Sequence, residues 1–198
     1  MLSDEQKIAL SRISLDNAID KQAMNVTLVN TLTYICYSGV VSFLAIFASE
    51  NGLVEAATVF FLVYAVVVLV SRPLVGKLFD TKGEGAVMIP GIIFAALGLV
   101  IFSQSYDGFT LLASAVLIGL GVGTVQISTM AIVVRDAPQH KKGVATSTYF
   151  MFSDAGFGLG PLMIGLMIPF LGLRNMYLVL AFVAFACLPL YQAVHGSK

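Results

Sequence analysis

Charge is scarce in this chain. Asp, Glu, Lys and Arg make up 11% of its 198 residues, against about 25% in an ordinary soluble domain. A globule with a polar shell needs more than that, so a water-soluble fold is excluded. The eleven Lys and Arg balance the eleven Asp and Glu, so no bulk field gathers polyanions, and a nucleic-acid partner is excluded too. Tryptophan is absent, and the only histidines are His140 and His195. They fall in a loop and a tail, where solvent rather than chemistry is the expected neighbour. The two cysteines, Cys36 and Cys187, sit inside apolar stretches with neither metal-site spacing nor a disulfide framework. The motifs GxGxxG, GxxxxGK[ST] and HExxH are all missing. No cofactor, metal or catalytic residue is expected, and the chain reads as a non-enzyme.

What the chain has instead is apolar length. Hydrophobic residues form 58% of it, and the mean hydropathy is +0.92. This is the composition of an integral membrane protein. Spanning helices are expected at about 24–48, 54–79, 85–104, 108–134, 143–169 and 173–194, each long enough for a hydrocarbon core of roughly 30 Å. The breaks carry turn chemistry: Glu50-Asn51-Gly52, Asp80 to Gly85, Tyr106-Asp107-Gly108, the polar loop 135–142, and Gly172 with Arg174. Residues 1–23 are mixed-charge and lack the apolar core of a secretory signal. In them Ser3 and Gln6 suggest a capping box, and Ile8, Ile13 and Leu15 a weakly amphipathic surface helix. The expectation is an all-α membrane protein with that segment at 1–23, a bundle of six transmembrane helices over 24–194 and a short tail at 195–198. Of the eleven Lys and Arg, all but Arg174 then fall on one side. The positive-inside rule makes that side, and both termini, cytoplasmic.

Polar residues deep in apolar stretches cost free energy and point to function. Asp154 falls near mid-membrane in the fifth span, where a charge costs about 2.5–3.5 kcal/mol on insertion scales. Desolvation there favours the protonated acid, which suits a group that binds and releases a coupling proton. It reads equally as a neutral acid bonded to a neighbouring helix, or as an interfacial one. Gln126 lies as far before His140 as Asp154 lies after it, so a hairpin between the two would bring them to similar depth. Gln126 is then either part of a polar site or helix-to-helix glue. The first span carries Thr27, Asn30, Tyr34 and Tyr37 at helical spacing, with Ser38 and Ser42 beside them. Such a stripe lines a cavity or forms a packed seam. Glycines recur as Gly119, Gly121 and Gly123, and again as Gly156, Gly158, Gly160-Pro161 and Gly165. They allow close helix packing, and Pro161 is expected to kink its helix.

The most specific stretch is Ser71-Arg-Pro-Leu-Val-Gly76-Lys-Leu-Phe-Asp80-Thr-Lys-Gly83. It resembles the loop signature of the major facilitator superfamily, roughly G-x-L-x-D-R-x-G-R-K, between the second and third helices of a six-helix half. Gly76, Leu78, Asp80 and Gly83 match, whereas Thr81 and the pair Glu84-Gly85 depart from it. The resemblance implies a conformational gate formed by Arg72, Gly76, Asp80 and Gly83, with Asp80 holding one arrangement of two halves. Gly156-Phe-Gly-Leu-Gly160-Pro161 with Gly165 is similar to the glycine–proline signature of proton-coupled drug antiporters in that superfamily. With no arginine buried in the fourth span, the chain resembles a C-terminal half, helices seven to twelve, and residues 1–23 a linker between halves.

The resemblance implies a multi-pass protein of the cell membrane, a bacterial plasma membrane. It implies partners that include the lipid bilayer, a small amphipathic substrate and protons. Asn30, Tyr34, Tyr37 and Gln126 would line the substrate cavity and Asp154 would carry the proton. Alternating-access transporters place substrate between two bundles, so one half needs an opposite wall: a homodimer or a complementary six-helix half. A truncated module that only binds a partner protein is the alternative.

Overall fold

The computed structural model describes residues 21–195, with side-chain surroundings for 23–193. The capping box at Ser3 and Gln6, the amphipathic reading of residues 1–20 and the tail at 196–198 lie outside the described residues, as does the side chain of His195. No strand occurs among the described residues. Helix α1 is Lys21–Asn51, α2 Val54–Lys82, α3 Gly85–Ser103 and α4 Gly108–Asp136, and a short 3-10 turn, Gln139–Lys141, leads into a helical run Lys142–His195.

Local chemistry sets these boundaries. Gly52 and Gly83 take positive φ between α1, α2 and α3, and the Gly83 N–H closes α2 by donating to the Phe79 carbonyl at 3.0 Å. Asp107 caps α4 by accepting from the Thr110 N–H at 2.8 Å, a contact worth roughly 0.5–2 kcal/mol. Pro138, without an N–H, follows the end of α4 and sets up the turn before the last run.

Five helices among the described residues are long and apolar enough to cross a membrane. The last two expected spans arrive joined, as one run whose dihedrals leave the helical region only at Gly172 (φ 72°, ψ 163°). A left-handed φ costs a residue with a Cβ about 1–2 kcal/mol, so glycine is the residue that breaks the run here. Dihedrals remain helical through Pro161 and Pro169, and the run turns at Gly172, where the last turn was expected. The arm at 142–171 is called α5 and the arm at 173–195 α6.

Both arms pack on α1, in opposite senses. Gly156 abuts Thr31 and Gly160 abuts Ser38, so α5 runs with α1. The Tyr177 hydroxyl donates to the Gly39 carbonyl and the Cys36 thiol to the Leu180 carbonyl, so α6 runs against it. Ile164 and Leu180 both reach within 2.9 Å of where a Cβ on Gly39 would stand. The run is therefore a helical hairpin folded over α1.

Packing follows small residues. A Cβ on Gly156 would lie 2.7 Å from the Thr31 methyl, and one on Gly121 would lie 2.2 Å from the Ala95 nitrogen. Hydrocarbon tails solvate apolar faces as well as another helix does, so such close contact and the dispersion it brings hold the bundle together. Phe47, Phe60, Phe102 and Tyr177 fill the core toward the Gly172 end, with Phe102 and Tyr177 centroids 4.3 Å apart. Helix α2 is the least covered, with only Phe60 and Ser71 buried. Its exposure leaves one side of the bundle open.

Candidate functional site

On that open side, α1, α2 and α5 contribute an aromatic shelf. Tyr37 of α1 stacks on Tyr64 of α2 with centroids 5.1 Å apart and planes 15° apart. Phe157 of α5 meets Tyr34 edge-on at 6.1 Å and Tyr37 at 6.2 Å. Pairs at these distances add about 0.5–1.5 kcal/mol beyond area burial and hold three helices in register.

Beside the shelf lies a cavity of about 350 Å³ lined by Arg72, Gln126, Ile127, Met130, Tyr149 and Phe150, drawn from α2, α4 and α5. The Tyr149 hydroxyl donates to the Gln126 backbone carbonyl at 3.1 Å, pinning α5 to α4. That leaves the Gln126 amide side chain turned to the cavity, with no hydrogen bond among the described residues. Gln126 and Asp154, expected at similar depth, are not bonded to each other.

Asp154 is exposed. It stands about 18 Å along the axis from Lys142 at 1.5 Å per residue, within electrostatic reach of the Tyr34 and Tyr149 hydroxyls. It makes no ion pair or hydrogen bond among the described residues. A carboxylate at that depth against lipid tails costs several kcal/mol.

Asn30, expected to line the cavity, is fully buried instead. Its Nδ2 donates to the Ser153 Oγ at 2.8 Å, and its Oδ1 has no partner. Ser153 faces α1 and offers an acceptor, so the polar stripe of α1 divides. Thr27 (bonded to the Ala23 carbonyl), Asn30 and Ser38 lie in the seams of the bundle, while Tyr34 and Tyr37 form the shelf. Gly156 and Gly160 permit that seam, since a Cβ on Gly160 would fall 2.0 Å from the Ser38 Oγ.

The expected gate also divides. Arg72 lies inside α2, about 15 Å along the axis before Lys82, in the cavity wall, and pairs with neither Asp80 nor any other carboxylate among the described residues. Gly76, Asp80 and Gly83 stay together at the end of α2. Asp80 is exposed there, where the helix dipole disfavours a carboxylate, and it makes no ion pair among the described residues. Glu84, the departure from the loop pattern, pairs with Arg135. Arg135 also bonds Asp136 at 2.8 Å and lies over the Phe79 ring. That network ties the start of α3 to the end of α4. Its sequence signal was an acid and an arginine in two loops on the same membrane side.

A second network left no sequence signal. Arg174 at the opposite end donates to the backbone carbonyls of Ser103 (2.8 Å) and Ser105 (2.9 Å) and to the Asn51 Oδ1. It also stacks over Tyr106 with its guanidinium carbon 4.0 Å from the centroid. It thus satisfies carbonyls left over at the end of α3 and joins α6 to α1.

Long apolar helices and glycine seams define a multi-pass membrane protein. Residues 26–195 match the sequence profile of the Major Facilitator Superfamily, and the chain belongs to that family. It is 27% identical over 152 residues to an uncharacterised MFS-type transporter of Methanocaldococcus jannaschii, covering 76% of this chain and 39% of that one. To the multidrug resistance protein MdtG of Salmonella typhi it is 27% identical over 162 residues, 79% of this chain and 40% of that protein. The MdtG of Yersinia enterocolitica is 26% identical, with 79% and 39% covered. The chain thus spans about 40% of the length of the curated relatives it matches.

Proposed function

We propose that the chain forms one six-helix half of a secondary active transporter in the plasma membrane, moving a small amphipathic molecule in a proton-coupled cycle. In this reading α5 and α6 each cross the bilayer, which makes six spans with both ends cytoplasmic, a topology the placement of Lys and Arg supports. The open side of α1, α2, α4 and α5 is one wall of a central cavity, and a second copy or a separate complementary half supplies the other. Asp154 takes up and releases the proton. Tyr34, Tyr37 and Gln126 contact substrate, and Asn30 holds Ser153, the neighbour of Asp154, from behind. Gly76, Asp80 and Gly83 form the latch whose partner comes from the opposite half. No catalytic role is assigned.

The observation that carries this reading is Asp154: exposed, unpaired and at mid-helix depth beside the tyrosines. In proteoliposomes holding the complete transporter, an imposed proton gradient should drive substrate flux, and Asp154→Asn should reduce it at least tenfold with folding intact. Full flux in that variant removes Asp154 from the cycle. The uncovered face of α2, where only Phe60 and Ser71 are buried, favours a second reading, a non-transporting module that binds a partner protein. It predicts a stable hetero-complex, captured by cross-linking in membranes, with no flux.

A further inference from the structure

Arg72 is the deepest cation on the open side. Lys77 and Lys82 lie closer to the end of α2, Arg135, Lys141 and Lys142 stand at helix ends, and Arg174 spends its donors on Ser103, Ser105 and Asn51. Arg72 is exposed on α2, about 15 Å before its end, and has no acid partner among the described residues; against hydrocarbon its guanidinium would be costly. Asp154 of α5 is not paired with it, and Glu84 is occupied by Arg135. What surrounds Arg72 is binding chemistry. Gln126 offers an amide that is both donor and acceptor, while Tyr149, Phe150, Met130 and Ile127 supply an apolar and aromatic wall, around about 350 Å³. That volume falls in the range of small-molecule sites. A guanidinium fork favours planar oxyanions, which it can bind with two parallel hydrogen bonds.

We infer that the Arg72–Gln126–Tyr149 cavity is an anion-selective subsite that takes the carboxylate-type head of an amphipathic molecule, its apolar body lying against Phe150 and Met130. This rests on reading the open side as a cavity wall and adds the charge class of what binds there. Arg72 anchors the head, Gln126 reads its second oxygen or a neighbouring polar group, and the wall accepts a ring or short chain. Neutral or cationic compounds of the same shape would leave the guanidinium uncompensated and bind worse.

The test uses two probes with one aromatic body and opposite heads, 1-naphthaleneacetate and 1-naphthalenemethylammonium, titrated against the full chain in lipid nanodiscs by calorimetry. The acetate should bind at least tenfold more tightly than the ammonium. Arg72→Gln should abolish that preference, Arg72→Lys should retain it at lower affinity, and Lys77→Gln should leave it unchanged. Absence of binding by either probe, equal binding of the two, or an acetate affinity unmoved in Arg72→Gln overturns the inference. If Arg72→Gln does not fold, a loss of preference in Arg72→Lys overturns it as well. The titration needs neither flux nor a partner half, so a failure of transport and a failure of this subsite give different results.

Discussion

At the residue scale, the side chains with the largest structural effect differ from those with the clearest sequence signal. Arg174 looked like a turn marker, yet its three hydrogen bonds join the ends of α1 and α3 to the start of α6. Hydrogen bonds to a charged group are each worth about 1.5–3 kcal/mol, and removing the arginine strands the Ser103 and Ser105 carbonyls. Arg174→Ala should lower stability by about 2–4 kcal/mol in a detergent unfolding titration. Arg174→Lys should recover only part of it, because a point charge cannot span the three acceptors. Equal stability of wild type and Arg174→Ala would refute the assignment. Asp154 behaves in the opposite way, since without partners its loss costs the fold little. Sequence could not separate these cases. Arg174 bonds mainly to backbone carbonyls, which leave no trace in residue identity, and the burial of Asn30 depends on Ser153 being its neighbour across a helix seam.

At the element scale the glycines sort by what they face. Gly156 and Gly158 stand two positions apart on α5 with the same side chain and different surroundings. A Cβ at 156 meets the Thr31 methyl at 2.7 Å and the Thr31 carbonyl at 2.9 Å, while one at 158 meets nothing within 4 Å. Gly156→Ala should therefore force α1 and α5 apart and cost about 1–3 kcal/mol. Gly158→Ala should be neutral or stabilise by up to about 1 kcal/mol, as alanine is the better helix former. Comparable losses at both positions would show that the seam is not where it is drawn. Helix limits were legible because turn chemistry writes them: expected spans at 54–79, 85–104 and 108–134 became Val54–Lys82, Gly85–Ser103 and Gly108–Asp136. The interruption near residue 172 was legible too, through its glycine.

At the scale of the whole molecule, the bundle has one closed side and one open one. The closed side is accounted for by α3, α4, α6 and the aromatic core. The open side carries Asp154, Arg72, Gln126 and the tyrosines, and leaves most of α2 uncovered. Composition announced the membrane and the loop pattern announced the family. The location of the open side was hidden, because an exposed apolar residue of α2 reads the same whether it meets lipid or protein. The central claim is that this side bounds a water-filled path. Its most direct measurement is thiol labelling in native membranes, in a background with Cys36 and Cys187 replaced. Asp154→Cys is compared there with Leu159→Cys, which is also exposed and lies about 140° around the same helix. The account predicts that a charged, membrane-impermeant methanethiosulfonate modifies position 154 and spares position 159. Protection of position 154, with or without labelling at 159, would contradict it.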